Sequence, residues 1–496
     1  MNQPAITTLG ELKRSGYVSR SIKEELRHNL LRHLHARKPV FMGIIGYEDT
    51  VIPDVERAIL SKHNIILLGL RGQAKTRMAR QMVDLLDEWM PIVAGSEIND
   101  DPLRPLSRYA RDLIQEQGDD TPIAWIHRSE RYTEKLATPD VSVADLIGDV
   151  DPIKAATLKL PYSDERVIHF GLIPRSHRCI FVINELPDLQ ARIQVALFNI
   201  LQEGDIQIRG FKLRFPLDIQ FVFTANPEDY TNRGTIVTPL KDRIDSQILT
   251  HYPKTLDVAK KITAQEAHLS DEQKTTISVH PLAYTLIEQI AFEARASEYV
   301  DAKSGVSARL TISAYENLHS AAERRAILAG DKTTAVRVGD FLGVIPSITG
   351  KIELVYEGEQ EGPLKVAYIL IGKALRKQFI EVFPDPESFK RSPADNPYLK
   401  VIDWFRKGNT LDILTHLTNA EYERLLRSVA GLAELVSKYY PSASLYDQLF
   451  LMEFALHGMA EYSLLSKYHL ERGGTGFKDL FQSMFSMKAG KDEEDF

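Results

Sequence analysis

Eight residues concentrate the chemical potential of this chain: Gly69-Leu-Arg-Gly-Gln-Ala-Lys-Thr76, placed directly after the apolar run NIILL and before a helix-forming stretch. A loop of this kind turns successive backbone N–H groups toward a phosphate, and the following helix N-terminus adds partial positive charge. Lys75 would then reach β- and γ-phosphates and Thr76 would offer its hydroxyl to Mg²⁺. Gly69 and Gly72 permit backbone paths that a Cβ would obstruct. Gln73, Ala74 and Arg77 complete the expected nucleotide-binding set. Ala74 stands where glycine commonly precedes the lysine; if that position needs positive φ, alanine costs roughly 1–2 kcal/mol.

Two further segments supply polar groups at the ends of apolar runs. CIFVIN (179–184) delivers Asn184 and Glu185 to a strand's C-terminal end, the edge at which open α/β sheets bind ligands. Nucleotide hydrolysis needs one acidic group for the Mg²⁺ shell and one carboxylate to orient the attacking water. Glu185 suits the second task. Asn184 stands where the first usually has aspartate: its amide oxygen can accept from metal-bound water but brings no charge, so weaker Mg²⁺ binding or slower turnover is expected. DIQFVFTAN ends in Thr224-Ala-Asn226-Pro, where Asn226 can point an amide at a γ-phosphate or at the water.

These residues need a scaffold of strands alternating with helices, which indicates a parallel α/β core. NIILL, CIFVIN and DIQFVFTAN have the texture of buried strands. Helices are expected over Thr50–Ser61, from Lys75 to about Trp89, and over ARIQVALFNILQEG. SEINDDPLRPLSRYARDLIQEQGDDTP reads as a polar surface excursion. In DIQIRGFKLRF, period-two alternation on either side of Arg209-Gly210 predicts a hairpin with a two-residue turn. After about residue 252 the pattern becomes helical. Thr418 with Glu421 forms a capping-box start for a helix with apolar positions at Leu425, Leu426, Val429, Leu432 and Val436.

The length of 496 residues predicts about three domains. With 28 Gly, 24 Pro and 44% hydrophobic residues, the composition excludes disordered and collagen-like chains. Sixty-one Lys and Arg against 68 Asp and Glu leave a net charge of −7, which argues against a protein whose main task is to neutralise nucleic-acid phosphates. The single cysteine, Cys179, removes a disulfide framework and a Cys-based zinc site, and lies in an apolar run as a buried thiol would. The first residues carry no apolar secretory region and no apolar run reaches about 18 residues, so a cytoplasmic chain without a membrane span is expected.

The ordered set of motifs resembles the AAA+ ATPases, specifically the MoxR and magnesium-chelatase motor-subunit branch, over about residues 40–330. GLRGQAKT resembles that branch's phosphate loop, in which MoxR proteins commonly carry alanine before the lysine. Gly43-Ile-Ile-Gly-Tyr47 is similar to the segment that packs on adenine, which makes Ile45 and Tyr47 candidate nucleotide contacts. The stretch from DLIGDVDPIKA to the acidic strand resembles the chelatase pattern, with an insertion interrupting a core helix. DIQIRGFKLRF resembles the pre-sensor hairpin, and Asn226 the first sensor. TPLKDRID resembles the segment carrying the arginine finger, implying Arg243, and Arg309 in GVSAR resembles the second sensor. Asn184 departs from the family's acidic pair. The resemblance implies ATP and Mg²⁺ as cofactors, with catalytic roles for Glu185, Asn226, Arg243 and Arg309 and metal contacts from Thr76 and Asn184. It also implies a homo-oligomeric, hexameric ring, action on a protein client, and a partner with a von Willebrand A domain. Porphyrin metallation, a scaffold that hydrolyses little, and a DNA-acting motor are the competing readings; no GAFTGA loop or helix-turn-helix supports the last.

The domain organisation expected is an N-terminal helical segment (1–40), the AAA+ α/β core with insert and hairpin (41–252), a helical lid (253–345), a short turn-rich region (346–392), a helical C-terminal domain (393–487) and a disordered acidic tail (488–496). Among lesser features, His28, His33 and His35 read as a solvated helix face, and Ala322-Glu-Arg-Arg325 as lid surface. Tyr439-Tyr440 reads as helix-end packing, and Phe211 as either a pore contact or a buried hairpin residue.

Overall fold

The computed structural model describes residues 3–162, 164–208, 214–226, 235–390, 395–470 and 473–480. The chain divides into two compact units, 1–252 and 253–496, rather than three.

The first unit is organised by a five-stranded parallel sheet of β1 (Ile65–Leu68), β2 (Tyr132–Leu136), β3 (Cys179–Asn184), β4 (Ile219–Ala225) and β5 (Ser246–Leu249), in the order β5-β1-β4-β3-β2. Strands buried on both faces read as continuous apolar runs, and β1 shows why. Ile66 and Leu68 enter one core with Phe181, Ile183, Phe221 and Phe223, while Ile65 and Leu67 enter the other with Ile180, Val182 and Val222. The helix Val51–Leu60 lies on the second face, and the helix Ala191–Glu203 packs on the first. The chain reverses its direction of progression next to β1, so the C-terminal edge of β1, β4 and β3 is the topological switch point where α/β sheets bind ligands.

Residues 9–14 and 22–35 are helical, and Ile22, Leu26 and Leu30 enter the second core. Glu25 makes a bidentate, fully buried pair with Arg131, both bonds 2.7 Å. Removing one member of such a pair costs about 3–5 kcal/mol, since the other charge is left buried alone. Cys179 is buried as expected, and burial pushes its thiol up to about 11.

Several expectations change. The helix from Lys75 ends at Gln81, followed by a 3-10 turn (Met82–Leu85), and Trp89 opens a strand, Trp89–Val93, paired antiparallel with Ile123–His127. Pro91, which cannot continue a helical ladder, sits inside that strand. The polar excursion after it is anchored rather than loose: Asp100 is wholly buried and accepts from the Leu106 and Ser107 amides and the Ser107 and Ser96 hydroxyls. The insertion is a short antiparallel ribbon, Gly148–Val150 with Ile168–Phe170, between the helical turns Val143–Leu146 and Leu172–Arg175. The hairpin forms, but Ile206 pairs with Phe215, not with Leu213 as an Arg209-Gly210 turn requires. A shift of two residues keeps every side chain on its original face, so the alternation could not fix the register. The tip, including Phe211, lies outside the described residues, as does the acidic tail.

The second unit has one hydrophobic core running from Ile277 to Phe477. It contains the helices Pro281–Arg295, Arg309–Ala329, Pro363–Val382 and Leu445–Glu461. Residues 346–392, expected to be turn-rich, therefore include a 20-residue helix that starts with Pro363 in its first turn, where a missing N–H is tolerated. The C-terminal block is not purely helical either. Leu411–Leu414, Gly474–Lys478 and Ser466–His469 form an antiparallel sheet. The Thr418–Glu421 capping box is present, but the helix stops at Arg427 and a second one begins after Gly431, which has φ +85°. Arg325 is no surface residue: it is buried, bonded through Nε and Nη2 to Asp340 at 2.9 Å each and to Thr334 and Ala335. Tyr440 packs a helix end, with its hydroxyl on the Val382 carbonyl. Among the described residues no helix is long and apolar enough to cross a membrane.

Candidate active site

The phosphate-type loop leaves β1 and is held from outside. Gly69 N–H donates to the Ala225 carbonyl of β4 at 3.1 Å. A Cβ on Gly69 would run into Thr250 Oγ1 and Gln73 Oε1, which are hydrogen-bonded to each other at 2.6 Å. Gly72 has φ +73°. Tyr47 donates its hydroxyl toward the Gln73 and His251 carbonyls (3.1 and 2.8 Å), and Tyr252 donates to the Arg71 carbonyl (2.9 Å). Tyr47 is thus a buried strut joining the loop to the end of β5; burial pushes its phenol up to about 12. Ile45 beside it is half-buried.

Ala74 is left-handed, φ 57° and ψ 14°, at the N-cap of the helix Lys75–Gln81. The strain foreseen for alanine is therefore present, about 1–2 kcal/mol. Lys75 is buried, with Nζ bonded to the Gly69 carbonyl and, at 3.2 Å, to the Leu70 carbonyl. Arg77 follows on the helix, half-buried.

The ends of β3 and β4 converge on this helix. Asn184 Oδ1 accepts from Thr224 Oγ1 (3.0 Å) and Thr76 Oγ1 (3.4 Å). Glu185, next in the chain, is also left-handed (φ 54°, ψ 51°), and its N–H donates to Thr224 Oγ1 at 3.2 Å. Strained backbone at a strand end is held there by its surroundings and clusters at working sites. Thr224 thereby couples both members of the Asn184–Glu185 pair. Asn226, just after β4, is buried at the same edge.

One group here was not legible in the sequence. Glu134 lies on β2, directly opposite Val182 and so on the same sheet face as Asn184 two residues on. Its Oε1 accepts from Asn184 Nδ2 at 2.5 Å, and Arg80 holds the carboxylate with two bonds of 2.8 and 3.1 Å. Burial opposes ionisation of Glu134, but the bonds from Arg80, Tyr132 and Asn184 outweigh it and hold the carboxyl below its ordinary range. A carboxylate thus stands one hydrogen bond behind the neutral amide. Only adjacency of β2 and β3, invisible in a single alternating YTEKL, could have revealed it.

Hard oxygen donors are what Mg²⁺ takes, through few protein ligands and mainly phosphate and water. The Thr76 hydroxyl and Asn184 amide oxygen fit that requirement, with Glu134 behind them. Among the described residues no group of three or more His, Cys, Asp or Glu could hold a metal ion.

Arg243 lies past the end of the helix Thr238–Asp242, at its C-cap and not at a helix start. Gln202 Oε1 and the Pro239 carbonyl accept from it (2.9 and 2.8 Å), and its guanidinium sits 5.2 Å from the Phe198 ring centre. Arg309 belongs to the second unit, where it is exposed and begins the helix Arg309–Ala329.

No family model matches the chain. Among curated proteins, the magnesium-chelatase subunit ChlI-1 of Arabidopsis thaliana is 23% identical over 239 residues, covering 47% of this chain and 53% of that protein. The ChlI subunit of Chlorella vulgaris is 24% identical over 251 residues, covering 47% and 64%. The chain is thus similar to AAA+ subunits of the chelatase branch. The chain spans between about half and two thirds of the length of these relatives. Among solved structures, a BchI–BchD complex of magnesium chelatase (17% identity, 65% of this chain and 98% of that one) has a TM-score of 0.31. NtrX from Brucella abortus in complex with ADP (14%, 74% and 66%) has a TM-score of 0.34.

Proposed function

We propose that the chain binds ATP with Mg²⁺ and hydrolyses it, as an oligomeric motor that remodels a protein client or assists metal-cofactor insertion. The observation that carries this reading is the convergence of Thr76, Asn184, Thr224 and Glu185 at the C-terminal ends of adjacent parallel strands, beside a loop with two glycines and a buried lysine. Lys75 and the loop amides bind and orient the phosphates. Thr76 and Asn184 would hold Mg²⁺, which when bound neutralises phosphate charge as it develops. Glu185 orients the attacking water, and Asn226 fixes that water or the terminal phosphate. Ile45 and Tyr47 border the base. Arg243, near the surface on a short helix end, serves the site of a neighbouring subunit, and Arg309 acts as a second sensor.

A ring follows from the role given to Arg243, since an arginine finger working in trans has no use in a monomer. A hexamer and a von Willebrand A-domain partner extend the same reading, as does placement in the cytoplasm; the plant relatives are described as chloroplastic. Asn184 favours a second reading, a nucleotide-dependent scaffold or switch with little turnover. Calorimetric titration of ATP, with and without Mg²⁺, into wild type and Lys75→Ala tests the shared step. Saturable Mg²⁺-dependent binding lost in the variant is expected; absence of binding by wild type would remove both readings.

A further inference from the structure

The second unit carries a cavity of about 490 Å³ that opens to solvent, within the range of roughly 300–1,000 Å³ in which small-molecule sites fall. Phe341 and Leu342 form one wall, and Ile369 and Leu375 of the helix Pro363–Val382 form another. Into this apolar space the helix Leu445–Glu461 places His457, which is buried and has no hydrogen-bond partner at either Nδ1 or Nε2. The nearest carboxylate, Glu453, is 3.9 Å from Nε2 and already accepts from the Val338 and Gly339 amides and the Tyr422 hydroxyl. On its other side the imidazole meets the Phe477 ring edge-on, ring centres 5.0 Å apart. Burial, and then Lys467, keep it neutral, so it offers one N–H donor and one acceptor. Native interiors rarely leave both unmet without a reason.

Cations outnumber carboxylates in the cavity lining. Lys365, Lys373, Arg376 and Lys467 line it against a single carboxylate, Glu461, in a chain of net charge −7. Lys365 and Lys467 are paired with Glu361 and Glu461 and Arg376 lies 3.9 Å from Glu387, whereas Lys373 contacts the Tyr299 ring face at 5.9 Å. Tyr368 and His469, with ring centres 4.3 Å apart, add a flat aromatic surface. An apolar chamber with a few convergent polar groups is the usual form of a ligand pocket. Lys373, set on a ring face and in no ion pair among the described residues, selects an anion.

We propose that this cavity is a binding site for a small amphipathic carboxylate, of medium-chain or aryl type, whose apolar body lies against Phe341, Leu342 and Ile369. Lys373 faces its carboxylate, and the His457 N–H donates to a ligand oxygen. The site is built wholly from the second unit and does not rest on the nucleotide chemistry.

The test is a fluorescence titration of the full chain with 1-anilinonaphthalene-8-sulfonate, followed by displacement with decanoate, 2-naphthoate or decylammonium. One saturable site, displaced by either carboxylate and not by decylammonium, is expected; which acid displaces better assigns the body as alkyl or aryl. Lys373→Glu should weaken the probe and the acids by about tenfold or more, and Ile369→Trp, which fills the chamber, should abolish binding. Thermal unfolding of each variant checks the fold, and Lys373→Glu, at a half-exposed position, keeps the test available should the tryptophan disturb packing. Equal displacement by decylammonium, absence of saturable binding, or wild-type affinity in folded Lys373→Glu would overturn the assignment.

Discussion

Asn184→Asp, which restores the acid expected at the end of β3, is predicted to destabilise the chain. Asn184 Nδ2 donates to Glu134 Oε1 at 2.5 Å while Oδ1 accepts from Thr224. Aspartate keeps the acceptor but sets a second carboxylate against Glu134. The charge-assisted bond lost is worth about 1.5–3 kcal/mol. Repulsion between charges about 4 Å apart adds up to about 4 kcal/mol at an effective dielectric of 20, reduced here because Arg80 holds Glu134. The pair's alternative is to bind a proton, which from an unperturbed value near 3.9 costs about 4 kcal/mol at pH 7 and sets the ceiling. The expected loss is therefore about 2–4 kcal/mol at pH 7. A shared proton means a raised pKa in the folded state, so the folded form gains as pH falls, and the ceiling drops to about 1.5 kcal/mol at pH 5. Urea unfolding followed by tryptophan fluorescence reads this, since Trp89 and Trp125 lie in the first unit. The double variant Glu134→Gln/Asn184→Asp reverses donor and acceptor and should recover at least half of the loss, which a double-mutant cycle isolates. An Asn184→Asp variant as stable as wild type at pH 7, or a loss that does not shrink at pH 5, would show that positions 134 and 184 are not coupled through charge.

Gly69→Ala drives a methyl into the Thr250–Gln73 hydrogen bond; leaving those buried groups unpaired costs about 1–3 kcal/mol, and calorimetry should show ATP affinity down at least about tenfold. At left-handed Ala74, glycine relieves about 1–2 kcal/mol of strain but loses about 0.5–1 kcal/mol in chain entropy and a partly buried methyl. Ala74→Gly should therefore move stability by less than about 1 kcal/mol, while β-branched Ala74→Val, a true outlier at positive φ, should lower the melting temperature clearly. Arg325→Ala strands Asp340 in the second core and should cost about 3–5 kcal/mol in urea unfolding, far beyond a surface substitution.

The strands that build the site were legible because burial on both faces writes itself as unbroken apolar runs: β1, β3 and β4 could be read directly. Edge strand β2 could not, because YTEKL alternates with charge, and with it went Glu134, whose meaning exists only beside Asn184. Residues at the loop were legible by type and order, yet the struts from Tyr47, Thr250 and Tyr252 come from positions far along the chain. Arg325 reads as surface in a charged AERR run, and only the folded packing supplies Asp340 as its partner. The helix Pro363–Val382 follows so closely on the charged run before Gly362 that its start was masked. Hairpin register was undetermined because a two-residue slip leaves the alternating pattern unchanged.

Steady-state ATP hydrolysis at several protein concentrations, with Glu185→Gln and Arg243→Ala alongside, tests whether the chain is a Mg²⁺-dependent ATPase completed between subunits. Specific activity should rise with concentration, and both substitutions should abolish it while ATP still binds. Wild type and Glu185→Gln equally inactive at every concentration, with ATP bound, would contradict this and leave Asn184 as the mark of a nucleotide-dependent switch.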